Sequence, residues 1–133
     1  MKKLLTCIAL LVSCSAAADI SVITHPSNNG ADEAVVKKLF LGKAKSFNDG
    51  SAASPVNQDA NAVFDEFNDK VLGKSSSQLN AYWSKLVFTG KGTPPDKLAN
   101  DQAVIDFVKA NPGAIGYVSS ASVTADVKVV ATY

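Results

Sequence analysis

The segment that most restricts how this chain can fold is Asn111-Pro112-Gly113-Ala114-Ile115-Gly116-Tyr117-Val118. Ahead of it, Val104, Ile105, Phe107 and Val108 recur at helical spacing, which predicts a helix from about Asp101 to Ala110 with those four residues inward. Pro112 has no backbone donor to continue that helix, and Gly113 tolerates the positive φ that often closes one. Ile115 to Val118 then reads as a short strand apolar enough to be buried on both faces. A strand of that kind belongs between layers of helices, so an α/β architecture is expected rather than a helical bundle.

The first eighteen residues are set apart because they read as an export signal. Lys2 and Lys3 give a positive start, Leu4 to Val12 an apolar run too short to span a bilayer, and Ala16-Ala17-Ala18 a small-residue cleavage pattern. The expected organisation is a signal over 1–18 and one compact domain over 19–133, delivered to the periplasm. Leu11-Val12-Ser13-Cys14 resembles a bacterial lipobox and offers the alternative, a lipoprotein anchored at Cys14. Cys7 and Cys14 both fall in this leader, so the domain itself is expected to have neither disulfide nor thiol chemistry and must rest on its core.

Beyond Ala18 there are eleven lysines, twelve carboxylates and no arginine, a net charge of −1. That balance argues against nucleic acid, whose phosphates call for a basic surface. His25 is the sole histidine, which leaves a metal cluster or a catalytic triad without its usual members. Asp65, Glu66 and Asp69 read as a solvated helix face rather than an acid–base pair. The chain is expected to be no enzyme and to hold no metal or cofactor.

Along the domain, Ile20 to Thr24 is strand-like and His25 to Gly30 turns the chain. Val35, Val36, Leu39 and Phe40 follow at helical spacing behind Asp32 and Glu33, with Gly42 as the stop. Lys45 to Asn57 reads as a long loop leading to a brief extended piece at Pro55-Val56. A second helix is expected from about Asp59 to Leu72, with Asp59 suited to its N-cap and Gly73 ending it. Ser75 and Gln78 have the spacing of a capping box, and Leu79, Tyr82, Trp83 and Leu86 form an amphipathic stripe behind it. That stripe is expected in the core, although Tyr82 and Trp83 could also line a cleft. Thr89-Gly90-Lys91-Gly92 is a glycine-bearing loop without the spacer of a nucleotide-binding P-loop. Val127 to Val130 reads as a last strand.

Three segments in order carry a family resemblance. Val36 to Lys43 followed by Phe47-Asn48-Asp49 resembles the Ile-Phe-Leu-Gly-Lys segment, with its later Trp and Asp, of the phosphate-binding proteins of ABC transporters. Tyr82 to Gly92 resembles a group of small single-lobe relatives, and Asn111 to Val118 resembles the family's Pro-Gly-Ala-Ile-Gly-Tyr-Val segment. The resemblance implies a single type 2 periplasmic-binding-protein lobe, a central mixed sheet flanked by helices. In full-length relatives the ligand lies between two lobes; this chain has length for one, so a second copy or another protein would supply the facing wall. Those relatives also carry an Arg-Ser-Asp-Gly-Ser-Gly-Thr-like run at a helix start, where amides and the helix dipole meet the anion. The corresponding Pro55 to Ala62 has no Arg, Ser or Thr.

The resemblance therefore implies a periplasmic solute-binding component of a phosphate-type ABC transporter, taking a small anion. The residues expected to bind it are Asn57, Gln58 and Asn61, with Thr89, Gly90 and Lys91 of the glycine loop. Its partners would be a transporter permease or an envelope protein, and a homodimer is the simplest source of a second wall. The alternative is a lobe without a ligand that serves as an interaction or structural protein of the envelope.

Overall fold

The computed structural model describes residues 19–133 apart from Ala60. The expected signal over 1–18, with both its Ala18 and Cys14 processing alternatives, lies outside the described residues.

Five strands form one mixed sheet in the order β3-β2-β4-β1-β5. Ile20–Thr24 is β1, Ser54–Gln58 is β2, Asp96–Leu98 is β3, Ala114–Ser119 is β4 and Lys128–Thr132 is β5. β2 runs parallel to both β3 and β4, whereas β1 runs antiparallel to both β4 and β5. The expectation of a central mixed sheet flanked by helices is what the structure shows.

Period-two alternation distributes the strand residues between two apolar clusters. From β4, Ile115 and Tyr117 join Ile20 and Val22 of β1 in one cluster, while Ala114 and Val118 join Ile23 in the other. The first cluster is completed by α1 (Glu33–Phe40), α2 (Ala62–Phe67) and α3 (Ser76–Phe88). The second is covered by α4 (Asp101–Ala110) through Val104, Ile105 and Val108. β4 is thus buried on both faces, as its apolar run requires. Phe40, Phe67 and Tyr117 lock the larger cluster, with the Phe67 and Tyr117 rings stacked at 3.8 Å between centroids and Phe40 set edge-on to both. Each such ring, fully withdrawn from water, contributes about 1.5–3 kcal/mol.

Glycines in the opening motif serve close approach. Gly113 does not adopt positive φ; instead a Cβ there would meet the Ala52 carbonyl oxygen at 2.7 Å. Its own carbonyl accepts from the Ser54 N–H at 2.7 Å, which brings the incoming β2 alongside β4. A Cβ on Gly116 would lie 2.5 Å from Cγ1 of Val104, so its absence lets α4 settle onto the sheet.

Four details depart from the sequence reading. The second helix starts at Ala62, with Asn61 and not Asp59 as its N-cap, because Asp59 still belongs to the sheet margin: its N–H donates to the Leu98 carbonyl at 2.8 Å. That helix widens into a π turn over Asn68–Leu72 before Gly73 ends it at φ 64°. The extended piece at Pro55-Val56 is a five-residue strand, and the loop before it folds back on itself through a Ser46–Ala52 bridge. The edge strand β3 had no expected counterpart.

Candidate functional site

Two places deserve comparison: the β2–α2 turn, and the loop after α3. At the first, β2 delivers Asn57 and Gln58 side by side in the chain, so their side chains leave opposite faces of the sheet. Gln58 is 1% exposed. Its Nε2 donates to the Tyr117 carbonyl at 2.9 Å and to Oδ1 of Asp101 at 2.6 Å, while its Oε1 accepts from Nδ2 of Asn61 at 2.9 Å. Asn61 in turn caps α2, its Oδ1 accepting from the Phe64 N–H at 2.9 Å. Asn57 is also buried, and its Oδ1 accepts from the Tyr117 hydroxyl at 3.0 Å. That hydroxyl accepts from the Gln58 N–H at 3.2 Å.

The structure thus brings Asn57, Gln58 and Asn61 together, but in a network that satisfies buried polar groups internally. Asp101, in the first turn of α4, is its outer anchor. Oδ2 of Asp101 accepts from the Ser122 hydroxyl at 2.7 Å and from the Ser119 N–H at 3.3 Å. Burial, the largest influence, holds the Tyr117 phenol well above its ordinary pKa of 10.0, so the hydroxyl remains a donor at neutral pH. A cavity of about 540 Å³ opens beside this turn, lined by Gln58, Asn61, Asn100 and Asp101 among others. Asp101 is the one charged side chain in its wall, which is unfavourable for a fully ionised anion.

Thr89, Gly90 and Lys91 lie elsewhere, at the C-terminus of α3. Thr89 is the C-cap and Gly90 takes φ 68°. The Gly90 N–H donates to the Val87 carbonyl at 3.1 Å and the Lys91 N–H to the Leu86 carbonyl at 2.9 Å, the paired pattern of a Schellman ending. The Thr89 N–H and hydroxyl both donate to the Lys85 carbonyl. These backbone donors therefore close the helix instead of forming a cradle. What the loop does present is charge: Lys91 and Lys45 line one cavity of about 430 Å³ with Gly90, Gly92, Thr93 and Val87. No carboxylate lines it, and neither ammonium has an ion-pair partner among the described residues. Lys45 was not among the expected binding residues, because its loop lies more than forty positions upstream in the sequence.

Trp83 combines the two readings offered for it. It is 7% exposed and packed in the larger cluster, yet its ring also lines cavities on the surface of α3. Among the described residues no group of three or more metal-ligating side chains occurs, and no helix is long and apolar enough to cross a membrane.

With this geometry in view, no protein-family description matches the chain, and no curated protein does either. Solved structures do. A Clostridium perfringens protein described as a phosphate ABC transporter substrate-binding protein, solved with bound phosphate, is 21% identical over 85% of this chain and 45% of its own, with a TM-score of 0.60. PstS from Borrelia burgdorferi is 14% identical over 86% of this chain and 47% of its own, at a TM-score of 0.62. An ABC-type phosphate transport receptor from Vibrio cholerae gives 14% identity, 85% and 46% coverage, and a TM-score of 0.55. The chain has a periplasmic-binding-protein-like fold. It spans less than half the length of each of these proteins, in keeping with one lobe of the fold. At such identities the likeness concerns architecture, and the side chains at any ligand site must be judged from this chain alone.

Proposed function

We propose that this protein is a single solute-binding lobe of the periplasmic phosphate-binding type, and that its ligand is a small anion held between Lys91 and Lys45. The observation that carries this reading is the cavity those two lysines share, free of carboxylates, on a fold like that of proteins described as phosphate binders. Two ammonium groups attract a compact oxyanion, and the Thr93 hydroxyl in the same wall adds a donor. In this reading Asn57, Gln58 and Asn61 hold the lobe in shape and only a displaced network would let them reach a ligand. Without a guanidinium fork, binding is weak until a second wall closes over it. A second copy of the chain or a transporter permease would provide that wall, and the periplasm is where such a lobe works.

A ligand that binds the folded state alone stabilises it by about 2.7 kcal/mol at one hundred times its Kd. Titration with phosphate, sulfate and acetate, read by thermal unfolding, is therefore expected to raise Tm with phosphate or sulfate. Lys91→Gln and Lys45→Gln should each remove that rise while leaving the unliganded Tm unchanged. A rise that survives both changes and grows larger with Asp101→Asn would move the anion to the β2–α2 turn and overturn the assignment.

A second reading is favoured by one feature. Phe88, at the last position of α3, is 93% exposed beside the half-exposed Val87. An apolar pair on a helix end suits a protein partner, and the lobe would then be an interaction module of the envelope. No anion response together with a stable complex that Phe88→Ser abolishes is the outcome that favours it.

A further inference from the structure

We propose that the groove between α3 and β3 is a second ligand site, built for a small aromatic carboxylate. This inference does not rest on the lysine-lined anion cavity. The groove encloses about 530 Å³ between Phe64, Leu79, Trp83, Phe88, Pro94 and Lys97, which is a volume in the range of small-molecule sites.

Its chemistry is specific in two respects. Lys97 is the one charged residue in the wall, so the complementary occupant carries one negative charge. Nζ of Lys97 lies 5.5 Å from the centroid of the Phe64 ring, so the charge of this exposed side chain stands at the rim of the apolar wall. Trp83, 7% exposed, adds an indole ring to the same wall. Phe64, Trp83 and Phe88 make the wall rich in ring surface, and an aromatic body packs against such rings better than an aliphatic chain does. An inorganic oxyanion fits poorly, because it would leave these surfaces wet and uncompensated. Phe88, nearly bare of contacts at 93% exposure, stands at the edge of the groove where an entering ligand would cover it.

Trp83 is the sole tryptophan in the chain, so its emission reports on the groove without a label. Titration of the purified protein with 4-phenylbutyrate should give a saturable change in that emission. The matched alcohol, 4-phenylbutan-1-ol, should bind about tenfold more weakly, the difference expected for one hydrogen-bonded charge. Lys97→Gln should erase the difference between acid and alcohol at unchanged circular dichroism and Tm, since Lys97 is exposed. Lys91→Gln should leave the phenylbutyrate titration as it is, which keeps this test separate from the anion reading. Absence of a saturable change overturns the proposal, as does equal affinity for acid and alcohol in the unaltered protein. Sedimentation showing a dimer that Phe88→Ser dissociates, with no phenylbutyrate binding, would assign the groove to a second copy instead.

Discussion

Tyr117 shows how one residue can serve both core and network. Its ring stacks on Phe67 and meets Phe40 edge-on, and its hydroxyl joins the amide group of Asn57 to the backbone N–H of Gln58. Tyr117→Phe keeps the ring but leaves Oδ1 of Asn57 and the Gln58 N–H without that partner, so a loss of about 1–3 kcal/mol is expected in urea unfolding. The phenol also carries a pH signature. Its pKa in the folded protein is raised above the ordinary 10.0, chiefly by burial, so folding favours the protonated form. The resulting stability is fully present below pH 10 and is lost as pH rises through the folded value. Tm should therefore fall more steeply above pH 10 in the unaltered protein than in Tyr117→Phe. Tyr133, also raised by burial, contributes in the same direction in both and cancels in the comparison.

At the scale of elements, the helix starts are the most exacting test of local chemistry. Ser75 and Gln78 form the expected capping box: the Ser75 hydroxyl accepts from the Gln78 N–H at 3.2 Å, and the Gln78 side chain accepts from the Ser75 N–H at 2.9 Å. Ser75→Ala should cost about 1 kcal/mol. Asn61→Ala should cost more, since it removes a cap and also strands Oε1 of Gln58; chemical denaturation of both variants checks the order. α1, α3 and α4 were legible in the sequence because periodicity and caps agree there, and β1 and β4 because their apolar runs are bounded by turn residues. β3 was not, since Asp96-Lys97-Leu98 has one apolar residue and exists only because β2 offers it a parallel edge. The start of α2 was misplaced because Asp59 is a good capping residue type, and only a backbone hydrogen bond from Asp59 to β3 shows that it belongs to the sheet margin. The binding residues were harder still. Sequence shows that Asn57, Gln58 and Asn61 own polar side chains, but only the fold reveals that Gln58 donates to Asp101 and Tyr117, that Asn61 donates to Gln58, and that the Asn57 oxygen accepts from Tyr117. Lys45 beside Lys91 has no local signal at all.

For the molecule as a whole, the decisive feature is where β1 sits. Its five residues are all buried, and it bonds to β4 on one side and β5 on the other. Deleting residues 128–132 would expose one edge of a fully buried strand, a template for pairing with other chains. The expected outcome is loss of a cooperative thermal transition and concentration-dependent aggregation, seen by circular dichroism and light scattering. The same placement has a consequence in time. Residues 20–24 are completed by residues 114–119 and 128–132, so the first strand to be synthesised waits for the last two. Such distant pairings require long loops to close before any ladder forms, which slows folding relative to a bundle of the same size. A growing polypeptide of this kind has no native sheet to hold it shut. Until residues 114–119 and 128–132 are both available, β1 lacks part of its native pairing and the chain stays open enough to be threaded or handed on.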